Sequence, residues 1–300
     1  MIDVSIIIVS YNTKDFTRQC LNSIYSNVKG VSFEIICIDN DSSDGTPAML
    51  REDFPDVILI ESKTNLGYAR ANNLGISRSI GQYVVLLNSD TVIMPGSLEQ
   101  TIDFMLRHPD AGAASPKLLN PDGSIQYCIR TLPDIKTAFY QSIGWHKLFP
   151  NNKITAAYYK TDLDYNKILS VDSIGTTCYV ISRQVLQKVG VLDEYFFLYN
   201  ADLDYNKRIK DAGYNIYYLP HSQIIHYGGV SVNQNCFRGL IEQHQGMWLM
   251  YKKHYAAQRN KLVNCLIFSA IFLRLQVKLF LTLLSKDKRV VKGPGAPVQI

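Results

Sequence analysis

Apolar residues in the first ninety positions come in short, nearly unbroken runs separated by stretches of longer period. Val4–Val9, Phe33–Ile38, Val57–Ile60 and Tyr83–Leu87 are rich in Val, Ile and Leu and stop at polar residues, the pattern of strands buried on both faces. Between them the spacing predicts helices over Lys14–Ser26, from Thr46-Pro47 onward, and over Tyr68–Ser79. Thr46 reads as an N-cap with Pro47 in the first turn. Strand–helix alternation of this kind predicts a mainly parallel sheet covered by helices, an α/β Rossmann-like architecture.

Past residue 110 the rhythm changes. Pro121-Asp122-Gly123 predicts a turn between short extended pieces, and 133–168 reads as irregular and rich in Tyr, Asn and Lys. Val171–Ile181 reads as a strand and Arg183–Val189 as a short helix stopped at Gly190. Asp202–Ala212 reads as a helix stopped at Gly213, and Tyr214–Ile225 as a strand. No internal repeat is present.

The polar clusters fall where a parallel sheet binds ligands, at the carboxyl ends of its strands. They are Ser10-Tyr11-Asn12, the run Asp39–Asp44, and Asn88-Ser89-Asp90. Reading Asn40, Ser42, Asp44 and Gly45 as the opening of a calcium loop puts Arg51 where a bidentate Glu is required, so that loop is excluded. The cluster is then either an Asx turn capping the next helix or an acceptor-rich shelf for a ligand's donors. Asp90 ends a strand of Val and Leu, as a plain terminator or as a hard oxygen ligand for a divalent cation. His226, between an apolar run and Gly228-Gly229, is either a structural histidine or a partner for that carboxylate. Asn200-Ala201-Asp202-Leu203-Asp204 follows the aromatic run Tyr195–Tyr199. It reads as helix capping, or as a general base whose pKa burial raises while the helix dipole lowers it.

Composition narrows the class. At 300 residues, 47% apolar and 19% charged, the chain is long enough for one large α/β domain or two small ones without a disulfide or metal staple. The six cysteines are scattered, with no C-x-x-C. They read as reduced thiols, and with no basic, apolar leader before Val4 the expected address is cytoplasmic. The net charge of +5 is uneven: from Lys252 onward ten Lys/Arg face only Asp287, so the tail carries +9 and the body −4. An acidic body with a basic tail excludes a nucleic-acid-binding domain and suits a catalytic domain moored to an anionic surface. No P-loop, G-x-G-x-x-G, H-E-x-x-H or G-x-S-x-G occurs.

Taken in order, eight segments resemble family-2 glycosyltransferases of the GT-A fold, in particular the bacterial rhamnosyltransferase-like branch. They are Val4–Asn12, Ile36–Gly45, Asn65–Gly75, Leu86–Thr91, Ser115–Gly123, Val189–Tyr199, Asp202–Asp204 and His226–Ser231. The resemblance covers about 1–255 and implies a single catalytic domain, with a nucleotide-sugar half over 1–110 and an acceptor half over 111–255. It further implies inverting transfer of a sugar from a nucleotide diphosphate to an acceptor hydroxyl. On that resemblance Asp39 contacts the base, Ser10, Asn12 and Ser89 line the nucleotide pocket, and Arg70 lies near the diphosphate. Asp90 and His226 hold Mn²⁺ or Mg²⁺, Asp202 is the general base, and Asp204, Tyr199 and Thr176 contact or support the acceptor. Two positions depart from the family pattern: Asn88 replaces the first Asp of the metal motif, and Ala201 the Glu before the base.

The segment 256–300 reads as an amphipathic, basic helical tail. Leu262, Leu266, Leu273, Val277, Phe280 and Leu284 share one face, with Asn264, Arg274, Lys278 and Thr282 opposite. Two cations near the middle disfavour a spanning helix and favour one lying at an anionic membrane surface, helped by Lys286–Arg289 and Lys292. Packing on the catalytic domain, or on a second copy in a homo-oligomer, is the alternative. The expected partners are a nucleotide-diphosphate sugar, a saccharide or polyprenyl-diphosphate-linked acceptor, and the inner face of the plasma membrane. Two other classes stay open at this stage. A sugar-nucleotide pyrophosphorylase would need glycines that Ser10–Lys14 lacks, and an inactive sugar-binding or scaffolding relative is suggested by Asn88 and Ala201.

Overall fold

Residues 2–132, 160, 163–228 and 236–284 are described by the structure, a computed structural model. The alternating first half folds as the pattern predicts. Strands β1 (Val4–Ser10), β2 (Phe33–Asp39), β3 (Ile58–Glu61) and β4 (Tyr83–Asn88) pair in parallel in the order β3-β2-β1-β4. Helices α1 (Lys14–Asn27), α2 (Thr46–Asp53) and α3 (Gly67–Arg78) connect them. Ile6, Ile7, Ile8, Ile36, Ile38, Val85 and Leu86 are fully buried, which is why these strands read as unbroken apolar runs rather than alternating ones.

The second half completes a nine-stranded mixed sheet. Strand β5 (Thr91–Ile93) follows β4 after two residues. Helix α4 (Ser97–Arg107) and strand β6 (Ala111–Leu119) come next, then β7 (Ile129–Arg130), β8 (Leu169–Val171), β9 (Ser173–Ile174) and β10 (Cys178–Ser182). After them come α5 (Arg183–Val189), α6 (Ala201–Asp211), β11 (Asn215–His226), α7 (Cys236–His254) and α8 (Lys261–Leu284). β10 runs antiparallel between β4 and β6, and β11 lies parallel to β6 and antiparallel to β5.

Several expectations are corrected. Val171–Ile181 is not one strand: β8 pairs with β11, β9 with β7, and β10 with β4 and β6, with a turn over Gly175-Thr176-Thr177. Three different partners cannot be served by one straight segment. Thr46 is the first helical residue of α2 rather than its cap. The cap is Gly45 at φ 84°, and the Asp44 carboxylate accepts from Thr46 N–H and its hydroxyl. Helices α4 and α7 were not anticipated. Most of the irregular stretch 133–168, Gly229 and the basic cluster at 286–292 lie outside the described residues.

Candidate functional site

The carboxyl ends of β1 and β2 are in register, Ser10 beside Asp39, so the loops that follow them grow side by side. They are tied together by polar contacts. Asn12, at φ 49°, donates its N–H to Ser42 Oγ (3.0 Å) and accepts from Ser43 N–H at Oδ1 (2.8 Å); Lys14 N–H donates to Asp44 (2.8 Å). Ser10 turns inward. Its hydroxyl is fully buried and shared with Thr13 (3.0 Å) and Thr17 (2.9 Å), and Thr13 continues the chain to Ser89 (3.0 Å). Ser10 and Ser89 thus brace the floor beneath the strand ends through a common neighbour.

Asp39 is the exception in this satisfied network. One carboxylate oxygen accepts from Ser42 N–H at 3.1 Å; the other is buried and has no hydrogen-bond partner. Burial pushes the carboxyl above its usual range, the Ser42 contact pulls it back, and the nearby Asp44 and Glu61 charges add to the rise. A buried acceptor without a donor carries a desolvation cost that a ligand N–H or O–H would relieve.

Asn40 pins the next loop. Its amide donates to Asn65 Oδ1 and to the Gly67 carbonyl, and accepts from Leu66 N–H at 2.7 Å. Gly67 sits at φ 77°, and a Cβ there would collide with the Phe197 carbonyl and ring. Only glycine allows both the left-handed turn and this approach, through which Tyr68 N–H reaches Phe197 O (2.5 Å). The Tyr68 hydroxyl donates to the Thr176 carbonyl at 3.1 Å, so Thr176 is held by its backbone. Arg70, on the exposed side of α3, lies 3.9 Å from Glu194.

A second cluster forms at the far side of the sheet. Pairing of β5 with β11 sets Thr91 beside His226, which brings Asp90 Oδ1 to 3.3 Å from His226 Nε2. Both side chains are buried, and Tyr227 N–H closes the corner on the Asp90 carbonyl (3.0 Å). His226 Nδ1 meets Gln126 Oε1 at 2.6 Å. No third His, Cys, Asp or Glu joins them among the described residues. One carboxylate and one imidazole at a strand end fit a divalent cation whose remaining ligands are water and phosphate oxygens.

Asp202 stands in the first turn of α6. Asn200 caps the helix at φ 67° through its backbone alone, not with its side chain, and Asp202 Oδ1 accepts from Leu203 N–H (2.9 Å). Between desolvation and the stabilising contacts, desolvation wins. Burial raises the Asp202 carboxyl, and the Leu203 N–H and the Arg130 charge pull back without cancelling it. Asp204 is treated differently. Fully buried, it accepts from His254 (2.7 Å), lies 2.7 Å from Lys253, and pairs with Arg208 at 2.9 Å. Burial alone would raise it, but these partners bring it down to about 2. Asp204 therefore supports, by locking α7 to α6. Behind Asp202, Tyr199 keeps a buried hydroxyl with no hydrogen-bond partner, pushed up to about 12 by burial, and the Asn200 amide nitrogen is likewise unpartnered.

The segment 126–130 links the two clusters. Gln126 bonds His226, and the Arg130 charge acts on Asp202; four residues span at most about 14 Å. Gln126, Arg130, Asn206 and the Lys253-His254 pair escaped the sequence reading. Asn206 accepts from Tyr179 OH (2.5 Å) and donates to Ser173 and Ile174, fixing α6 on β9. The Asn-Pro-Asp-Gly turn before Gln126 was the one available signal.

Residues 5–188 match the family described as glycosyl transferase family 2. The chain is 28% identical over 227 residues to the N-acetylglucosaminyl-diphospho-decaprenol L-rhamnosyltransferase of Mycobacterium tuberculosis, covering 72% of this chain and 73% of that protein. It is 25% identical over 262 residues to the low-salt glycan biosynthesis hexosyltransferase Agl10 of Haloferax volcanii, covering 86% and 76%. Among solved structures, mannosyltransferase PcManGT of Pyrobaculum calidifontis, in complex with GDP-Man and Mn²⁺, shares the fold with a TM-score of 0.57 at 17% identity, over 95% of this chain and 76% of that one. Residues 1–349 of S. aureus TarS give 0.55 at 16% identity, over 91% and 71%. With the strand order and the match from β1 to α5 in agreement, the chain belongs to glycosyl transferase family 2 and is a glycosyltransferase of GT-A-like fold.

Proposed function

We infer that this glycosyltransferase moves a sugar, with inversion, from a nucleotide diphosphate to an acceptor hydroxyl in bacterial surface-polysaccharide synthesis. The observation that carries the reading is Asp202: a carboxylate raised by burial, joined through 126–130 to the Asp90–His226 pair. Asp202 Oδ1 is occupied by Leu203 N–H, so Oδ2 takes the acceptor proton as the acceptor oxygen bonds the anomeric carbon. The bond from that carbon to the diphosphate oxygen breaks on the opposite face. Asp39 receives a donor of the nucleobase or ribose, and Arg70 and Asn12 flank the nucleotide. Asp90 and His226 would hold Mn²⁺ or Mg²⁺, with imidazole tilting the choice to Mn²⁺. When bound, the cation offsets charge on the departing diphosphate.

The rhamnosyltransferase name of the Mycobacterium tuberculosis relative favours dTDP-rhamnose as donor and a polyprenyl-diphosphate-linked saccharide as acceptor. Helix α8 supports a membrane-facing acceptor. Its 24 residues are long and apolar enough to cross a bilayer by length and composition, but two of its polar residues, Asn264 and Arg274, face the protein. Asn264 accepts from Tyr251 OH (2.6 Å) and Arg274 reaches Met247 Sδ (3.3 Å), while Leu262, Leu266, Leu273, Val277, Phe280 and Leu284 are exposed. The outward apolar face is the one an interfacial helix lays on a membrane. The cytoplasmic leaflet is the surface this reading assigns.

Purified protein with Mn²⁺, screened for nucleoside-diphosphate release from dTDP-rhamnose and UDP-hexoses, tests the reading. Release that depends on cation and rises with a lipid-linked saccharide is expected. Absence of both turnover and nucleotide-sugar thermal stabilisation across the panel sinks it.

A further inference from the structure

The residues of the turn Asn120–Gly123 take no part in the chemistry described so far, although their sequence stands out. Their hydrogen bonds have one destination. Asn120 N–H donates to the Ser124 carbonyl, Gly123 N–H to the Asn120 carbonyl, and Gln126 N–H to the Leu118 carbonyl. Asp122 accepts from Ser124 N–H and its hydroxyl. The result is a tight hairpin off the end of β6 that delivers Gln126, 3% exposed, beneath His226.

The amide of Gln126 has one sensible orientation. Its nitrogen donates to Asn120 Oδ1 (3.0 Å) and to the His226 backbone carbonyl (3.2 Å). Both partners are acceptors, so NH₂ must point at them and Oε1 must point at His226 Nδ1, 2.6 Å away. An oxygen there accepts only, so Nδ1 carries the ring proton. In a neutral ring with that proton the lone pair lies on Nε2, the nitrogen 3.3 Å from Asp90 Oδ1. Two acceptors facing each other at that separation are stabilised by a cation between them.

The geometry points to Gln126 as a positioning residue: it fixes the Nδ1–H tautomer of His226 so that Nε2, beside Asp90, is presented to a divalent cation. This rests on the metal reading above and adds the residue that makes it work. A ligating histidine whose other nitrogen is held by an oxygen acceptor has its orientation and basicity set in this way.

The experiment has two readouts. Long-range ¹H–¹⁵N correlation of ¹⁵N-histidine-labelled protein, with His226→Asn identifying the resonance, reports the tautomer directly; Mn²⁺ alone, followed by loss of its free EPR signal, reports affinity. Wild type is expected to show the proton on Nδ1. Gln126→Leu is expected to redistribute the tautomer and weaken Mn²⁺ binding ~10–100-fold, whereas Gln126→Glu, which keeps an acceptor, stays within a few-fold of wild type. A wild-type ring protonated on Nε2, or Gln126→Leu protein that binds Mn²⁺ as tightly as wild type, overturns the proposal. If Asp90→Ala leaves Mn²⁺ binding unchanged, it is the metal reading that fails, and the wild-type tautomer alone then decides on Gln126.

Discussion

Asp202 and Asp204 stand two residues apart at the start of one helix, and the fold drives their acidities in opposite directions. Asp202 has one backbone donor and is raised by burial; Asp204 has two cationic neighbours, Arg208 and Lys253, and a His254 contact, and falls to about 2. One carboxylate is left the readier of the two to take a proton, and the other is committed to holding the helix in place.

Asp202→Asn removes the proton acceptor without removing its hydrogen bond to Leu203. Turnover should fall ~10²–10⁴-fold, with nucleotide-sugar affinity by calorimetry unchanged. In wild type the base works only when ionised, so the rate should drop as pH falls through a value above the ordinary carboxylate range. A near-normal rate for Asp202→Asn would return the base assignment to open ground.

Asp204 makes a stability prediction with a definite sign. Its folded pKa of about 2 lies below the model-peptide 3.8, so the native state binds fewer protons in that window. Its contribution, about 2 kcal/mol, is fully present above pH 4 and is lost as pH falls towards 2. Asp204→Asn strands Lys253, His254 and Arg208 around a neutral amide and should cost about 3–5 kcal/mol near neutrality. Urea unfolding of both proteins across pH 2 to 7 checks this; equal stabilities at pH 7 would contradict it.

Asp39 separates folding from binding. Asp39→Ala loses one backbone contact but also removes a buried oxygen with no partner, so stability should stay within about 1 kcal/mol of wild type. Nucleotide affinity should nevertheless fall ~10–100-fold, the worth of one buried charged hydrogen bond. Calorimetry with UDP and dTDP decides it, and unchanged affinity for both removes Asp39 from the pocket.

Gly67 is where the start of α3 touches the Tyr195–Tyr199 loop. Gly67→Ala meets both a left-handed φ and the Phe197 carbonyl, and should cost more than about 1 kcal/mol while lowering turnover. Unaltered melting temperature and turnover would show that the loop gives way freely.

Truncation before α8, leaving 1–260, tests the surface reading. The full chain should float with vesicles containing anionic lipid, and the truncated chain should not. Flotation of the truncated chain would place the membrane contact elsewhere, and a concentration-dependent dimer lost on truncation would assign the apolar face to a second copy.

The sheet was legible because β1, β2 and β4 are buried on both faces, which forces unbroken Val, Ile and Leu. The three polar clusters were legible because they interrupt those runs at strand ends. The meeting of Asp90 with His226 stood in the sequence only as one of two readings and through the family resemblance, since it depends on the β5–β11 register, and Gln126 was not legible, since its meaning comes from an amide orientation set by Asn120. Ser10 was visible as a polar strand end but not as an inward-facing hydroxyl. Whether burial or the helix terminus governs Asp202 could not be weighed without the surrounding Tyr68, Tyr179 and Arg130.

The outward hydrocarbon stripe of α8 also bears on how rate should be measured. An enzyme confined to a film a few nanometres thick, together with an acceptor dissolved in the same film, meets it by lateral diffusion. Velocity would then follow mole fraction in the bilayer, and diluting the vesicles with inert lipid would slow the reaction even at constant bulk concentrations of every component.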